Sequence, residues 1–154
     1  MKTLILTAIL ALAPYLPPEI AERYANDIAL AADGDMEMAA ALVATAEGES
    51  HFRVAIERCE CQKWECDRGE DGKIRALGLF QLQFYWWDKH TPEEICADSA
   101  LAAVLVAKEL NYLQKRFGWI RALRYHIGNK ATDEQVNPRI RRFEQLARDW
   151  KTTA

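Results

Sequence analysis

The stretch from Ser99 to Arg116 constrains the fold more than any other part of the chain. Its first half, Leu101 to Ala107, is apolar on every side of a helical wheel. A helix without a polar face has to be covered all round, so the pattern predicts a central buried helix with other helices packed against it. Met36 to about Glu47 is a second helix, apolar on most sides through Met38, Ala39, Ala41, Leu42, Val43 and Ala46, and is expected to be largely buried. Abundant Ala with sparse Thr and Val favours helix over sheet. The expected fold class is mainly α, one domain over residues 1–154, and 154 residues suffice to bury roughly two thirds of the unfolded chain's surface.

Helix punctuation marks the remaining elements. Pro17-Pro18-Glu19 starts a helix that runs to about Ala32 and stops at Asp33-Gly34-Asp35. Gly48 is read as the end of the Met36 helix. Residues 50–76 read as a loop-rich excursion with at most a small hairpin, from the alternating stretches Phe52–Ile56 and Lys73–Leu77. Helical character is expected again from Leu79 to Asp88, in a short helix Trp119–His126 after Gly118, and from Pro138 to Trp150.

Lys2 and the apolar run Leu4–Ala13 imitate an export signal, but Pro14 disfavours cleavage and the run is short of the roughly 20 residues of a membrane span. Two readings stay open: an uncleaved signal, or an N-terminal helix packed on the core. No stable membrane insertion is expected. The formal net charge is −3, distributed as −9 over residues 1–107 and +6 over residues 108–154. That balance argues against a general nucleic-acid binder, and Arg139, Arg141, Arg142 and Arg148 read as a solvated helix face, with a binding patch for an anionic polymer as the alternative.

Cys59, Cys61, Cys66 and Cys96 allow three pairings. A Cys59–Cys61 bridge across one residue is badly strained, which leaves two. The preferred set is Cys61 with Cys66 as a local clip and Cys59 with Cys96 as a long staple. A four-thiolate zinc site is the rival, and the spacing lacks its usual C-x2-C pairs. No metal or cofactor is expected. Disulfides imply an extracytoplasmic location.

Three separated segments carry the chemistry: Ala46-Glu47-Gly48-Glu49-Ser50-His51-Phe52, Ala76-Leu77-Gly78-Leu79-Phe80-Gln81-Leu82, and Ala122-Leu123-Arg124-Tyr125-His126-Ile127-Gly128-Asn129. In order and approximate spacing they resemble the signatures Glu-Ser-x-Phe, Gly-Leu-Met-Gln and Ala-Tyr-Asn-x-Gly of the lysozyme-like lytic transglycosylases of the soluble lytic transglycosylase type. The resemblance covers about residues 36–130. Phe80 stands in place of Met, Arg124 in place of Ala and His126 in place of Asn.

The residues support that reading on their own. Cleaving a glycosidic bond needs a carboxylic acid still protonated near neutral pH, and burial raises a carboxyl group's proton affinity. Glu49 ends an apolar helix and precedes Phe52, whereas Glu47, two residues earlier, lies about 200° round the helix and faces the opposite way. The resemblance implies a lysozyme-like domain that cleaves peptidoglycan glycan strands with Glu49 acting as acid and then base. The substrate's N-acetyl group stabilises the cation and the product carries a 1,6-anhydro-muramic end. It further implies that Ser50 positions the N-acetyl group, that Gln81, with Phe80 and His126, holds substrate, and that Tyr125 hydrogen-bonds the acid. The consecutive aromatics Phe84, Tyr85, Trp86 and Trp87 are expected to divide between the glycan groove and the core. Two alternatives stay open. One is a hydrolase using Asp67, Glu70 or Asp71 as second carboxylate, and the other is a non-catalytic cell-wall-binding or virion protein of the same fold.

Overall fold

The computed structural model describes residues 1–60, 76–83, 89–127 and 132–153. They form a mainly helical fold: α1 (Lys2–Leu12), α2 (Pro18–Ala32), α3 (Met36–Ser50), α4 (Val54–Glu57), β1 (Ala76–Leu77), β2 (Leu82–Gln83), α5 (Pro92–Ala97), α6 (Ser99–Phe117), α7 (Trp119–Ile127) and α8 (Asp133–Lys151). No helix among the described residues is long and apolar enough to cross a membrane.

The helix at the centre is α3, not the Ser99 helix. Every residue from Met38 to Ala46 is buried, and α1, α2, α6 and α8 all pack on it. The alanines keep it thin enough for neighbours to approach on all sides. By contrast α6 turns a stripe of Val104, Lys108, Asn111 and Lys115 outward and buries Ala102, Val106, Leu110 and Leu113. Its apolar first half concealed that amphipathicity because Val104, 37% exposed, stands on the solvent side.

Local signals set the ends. Asp35 caps α3, its Oδ1 accepting from the backbone N–H groups of Glu37 and Met38 at 2.9 and 3.0 Å. At the far end α3 runs through Gly48 to Ser50, one turn beyond the expected stop, and closes with His51 left-handed at φ 50°. Pro18 opens α2, which buries Ala21, Tyr24, Ala25, Ile28 and Ala32 along one face. Residues 2–12 form a helix with Ile5 and Ile9 fully buried in the core.

Three expected boundaries shift. Val54–Glu57 of the alternating stretch is a helical turn rather than a strand. Leu82–Gln83, expected in a helix, pairs antiparallel with β1 in the register Ala76↔Gln83 and Leu77↔Leu82. The cause is the tight turn between the strands, where Gly78 at φ 70° and Gln81 at φ 50° reverse the chain. The last helix begins at Asp133, where Thr132 and Gln135 form a capping box, and Pro138 is accommodated inside it.

Cys59, just beyond α4, is bridged to Cys96 in α5, with Cα atoms 5.6 Å apart. This is the expected long staple. Cys61 and Cys66 lie outside the described residues, as do Asp67, Glu70, Asp71, residues 84–88 and Gly128.

Candidate functional site

Glu49 sits in the last turn of α3, where α8 crosses it. Gly48 is bare at the crossing, and Arg139 of α8 lies along the helix there. Its Nη2 donates to the Gly48 carbonyl at 2.6 Å and stands 3.0 Å from Glu49 Oε1, while Nη1 donates to the Gln135 carbonyl at 2.9 Å. Glu47 and Glu49 each point about 100° away from Gly48, in opposite senses. They therefore flank the crossing, and Glu47 pairs with Arg142 Nε at 3.5 Å. Arg139 and Arg142, expected on a solvated face, are instead turned inward against α3. Their spacing of three residues, matched to two acids around a glycine, was the available signal.

The Glu49 side chain is 16% exposed and the Arg139 side chain 12%. Burial pushes the Glu49 carboxyl above its ordinary value, with the Arg139 guanidinium and His126 pulling the other way and Glu109 adding to the rise.

His126 of α7 is buried. Its Nδ1 lies 2.9 Å from Glu109 Oε2 of α6, and its Nε2 donates to the Phe80 carbonyl at 3.1 Å. Burial disfavours the imidazolium, but Glu109 outweighs it, helped by Glu49 and the Phe80 carbonyl, and the ring titrates near pH 9. Glu109 was not singled out from the sequence. It falls on the buried stripe Ala102, Val106, Glu109, Leu113, where an acid needs a counter-charge.

Ser50, Phe80 and Gln81 are buried, and Tyr125 is not. Ser50 is fully buried, and its hydroxyl donates to the Ala46 carbonyl at 2.8 Å and accepts from Phe52 N–H at 3.1 Å. It thereby closes the turn in which His51 and Phe52 both have positive φ. The Phe80 ring is in the core, so the expected substrate contact gives way to packing. Gln81 is 8% exposed and donates from Nε2 to the Gly78 carbonyl at 3.1 Å, bracing the β1–β2 turn. Tyr125 requires a correction. It is 40% exposed, its ring stacks obliquely on Phe117 with centroids 5.1 Å apart, and it makes no hydrogen bond to Glu49. One residue along α7 is about 100° of rotation, so burying His126 turns Tyr125 outward.

A second polar cluster lies elsewhere. Buried Glu57 accepts from Arg23 Nη2 and from Tyr24 Oη, each at 2.8 Å, and Arg23 Nη1 also donates to Ser99 Oγ at 2.8 Å. Arg23 and Glu57 line a cavity of about 760 Å³ beside the Cys59–Cys96 bridge, together with Ile20, Arg58 and Leu77. Glu49 is not in that lining.

The structure joins the second and third sequence segments: His126 from the third donates to the Phe80 carbonyl of the second, while the Glu49 side chain of the first is paired with Arg139 of α8. No protein family, no curated protein and no solved structure matches the chain.

Proposed function

We propose that the protein cleaves peptidoglycan glycan strands as a lytic transglycosylase, with Glu49 as its acid and base. The observation that carries the reading is the Glu49 carboxyl at the end of α3, 16% exposed and 3.0 Å from the Arg139 guanidinium, with burial raising its proton affinity. A protonated Glu49 donates to the leaving glycosidic oxygen. The resulting carboxylate, steadied by Arg139, then takes the proton of the muramic 6-hydroxyl as that oxygen closes the anhydro ring. Burial raises the proton affinity of the carboxyl, as a proton donor requires. The substrate's own N-acetyl group takes the place of a second carboxylate. The Cys59–Cys96 bridge fits an extracytoplasmic location, where this substrate lies.

Mass spectrometry of muropeptides after incubation of peptidoglycan with the purified protein tests this. Anhydro ends are expected from the parent and none from Glu49→Gln. Reducing ends would make the protein a hydrolase. Unchanged peptidoglycan, or equal cleavage by Glu49→Gln, would sink the assignment.

A further inference from the structure

We infer that the cavity beside the Cys59–Cys96 bridge is a second binding site, suited to an α-amino-acid head: a ligand with an ammonium and a carboxylate on one carbon. Its volume of about 760 Å³ falls within the roughly 300–1,000 Å³ of small-ligand pockets. Ile20 and Leu77 give it apolar wall, and the charged side chains of Arg23, Glu57, Arg58, Glu60 and Glu93 join them. Glu57 itself is closed to a ligand. It is 3% exposed, and both its oxygens are taken, Oε1 by Arg23 Nη1 at 2.5 Å and Oε2 by Arg23 Nη2 and Tyr24 Oη at 2.8 Å each.

The effect of that pairing is to fix Arg23, since a buried carboxylate needs a cation against it. Ser99 Oγ accepts from Nη1 at 2.8 Å, and the Tyr24 ring lies under the guanidinium, its centroid 4.8 Å from Cζ. These contacts use both hydrogens of Nη1 and one of Nη2. The edge formed by Nε–H and the second Nη2 hydrogen has no partner among the described residues, and two parallel N–H groups on a fixed plane fit a carboxylate. Arg58, Glu60 and Glu93 are exposed, and their side chains make no ion pair or hydrogen bond among the described residues. With Arg23 and Glu57 balancing each other, one cation and two carboxylates remain. A purely anionic ligand is opposed by Glu60 and Glu93, a purely cationic one leaves the Arg23 edge and Arg58 unused, and an amino-acid head answers both signs. Peptidoglycan stems that contain diaminopimelate present such a head wherever they are not cross-linked. The choice of this peptide rests on the reading of peptidoglycan as substrate, and the site does not.

Isothermal titration calorimetry of the full-length protein with the stem tripeptide L-alanyl-γ-D-glutamyl-meso-diaminopimelate tests this. One-to-one binding is expected. It should weaken by about tenfold or more when lysine replaces diaminopimelate, which removes the distal carboxylate, and likewise when the distal amine is acetylated. Arg58→Gln, at an exposed position, should weaken binding by a similar factor, as should Arg23→Lys, which keeps a cation beside Glu57 but lacks the fork. Glu49→Gln should bind as the parent does, because Glu49 is outside the cavity lining. No binding at millimolar peptide, equal binding of the lysine peptide, or parent-like binding by Arg58→Gln would overturn the inference, and Arg58→Gln decides alone if Arg23→Lys does not fold. Loss of binding in Glu49→Gln would place the peptide at the other site and overturn it as well. Tripeptide binding by a protein that leaves peptidoglycan intact would uphold the cavity site and remove only the cleavage reading.

Discussion

Replacing Gly48 by alanine should destabilise the protein, against the usual sign for a glycine inside a helix. In an ordinary helix interior the change gains about 0.5–1 kcal/mol, since alanine loses less backbone freedom on folding. Here a β-carbon would lie 2.6 Å from Cγ and 2.7 Å from Cδ of Arg139, where ordinary contact begins at 3.4 Å. Arg139 must leave, and with it go its contacts to the Gly48 and Gln135 carbonyls and to Glu49. Hydrogen bonds from a charged donor contribute about 1.5–3 kcal/mol each. The displaced guanidinium regains water and Glu49 can take up a proton, so the loss is about 2–4 kcal/mol in all.

Set against the helix gain, Gly48→Ala should be about 1–3 kcal/mol less stable by urea unfolding, with Tm lower by roughly 3–10 °C. The Glu49 midpoint should rise, having lost its nearest cation. In an Arg139→Ala background the same glycine replacement should recover the ordinary gain, since nothing then occupies the space. A Gly48→Ala protein about 1 kcal/mol more stable than the parent, with Glu49 titrating as before, would refute the reasoning.

Replacing both Cys59 and Cys96 by serine opens a loop of sequence separation 37 and should cost about 4 kcal/mol in chain entropy, read as a lower urea midpoint. The intact mass of the parent should lie four hydrogens below its reduced formula if Cys61 and Cys66 are bridged as expected, and two below if only the staple forms. His126 has a folded value of about 9 against 6.5 unfolded, so its contribution is fully present below about pH 6.5 and is lost as pH rises through about 9. Urea unfolding should show a decline on the order of 3 kcal/mol across that window, and a flat profile would contradict the buried imidazolium. Tyr125→Phe should cleave within about twofold of the parent and change stability by less than about 0.5 kcal/mol, because the hydroxyl is on the exposed side of α7. A tenfold loss of rate would return Tyr125 to the acid.

The helices were legible wherever one short-range cause decides them: Pro18 at a helix start, the Asp33-Gly34-Asp35 stop and Gly118 all act within a turn. The 59–96 bridge was legible only as the preferred of two sets, since strain removed one pairing outright and could not choose between the others. Gly48 misled, since a glycine near the end of an apolar run looks like a stop until the arginine that needs its bareness, 91 residues away, is known. Pro138 misled in the same way, because Thr132 and Gln135 offered a cap one and a half turns earlier. Which of α3 and α6 is central turned on single side chains: Val104 is apolar, and only packing shows that it faces water. Of the candidate site, Glu49 was named from the sequence as the candidate acid, while its partner Arg139 and the buried Glu109 were not read as such, since each gains its meaning from a contact distant in sequence.

The third segment shows how one departure from a resembled pattern entails another. Where the lytic transglycosylase signature has Asn, His126 brings a cation into a site with 1% side-chain exposure, and a cation there requires a counter-charge. Glu109 supplies it, so the two residues make physical sense only together. His126→Asn alone should leave Glu109 as a bare buried acid and cost about 3–5 kcal/mol in urea unfolding at pH 7, where the ring is protonated. Glu109→Gln alone should cost a comparable amount by stranding the imidazolium or forcing it to lose its proton. The double variant Glu109→Gln/His126→Asn places two neutral amides where the ion pair stood, and should lie well above the sum of the single losses, by a coupling of about 2 kcal/mol or more. Strictly additive losses would mean that the two side chains act independently, and would undo the pairing.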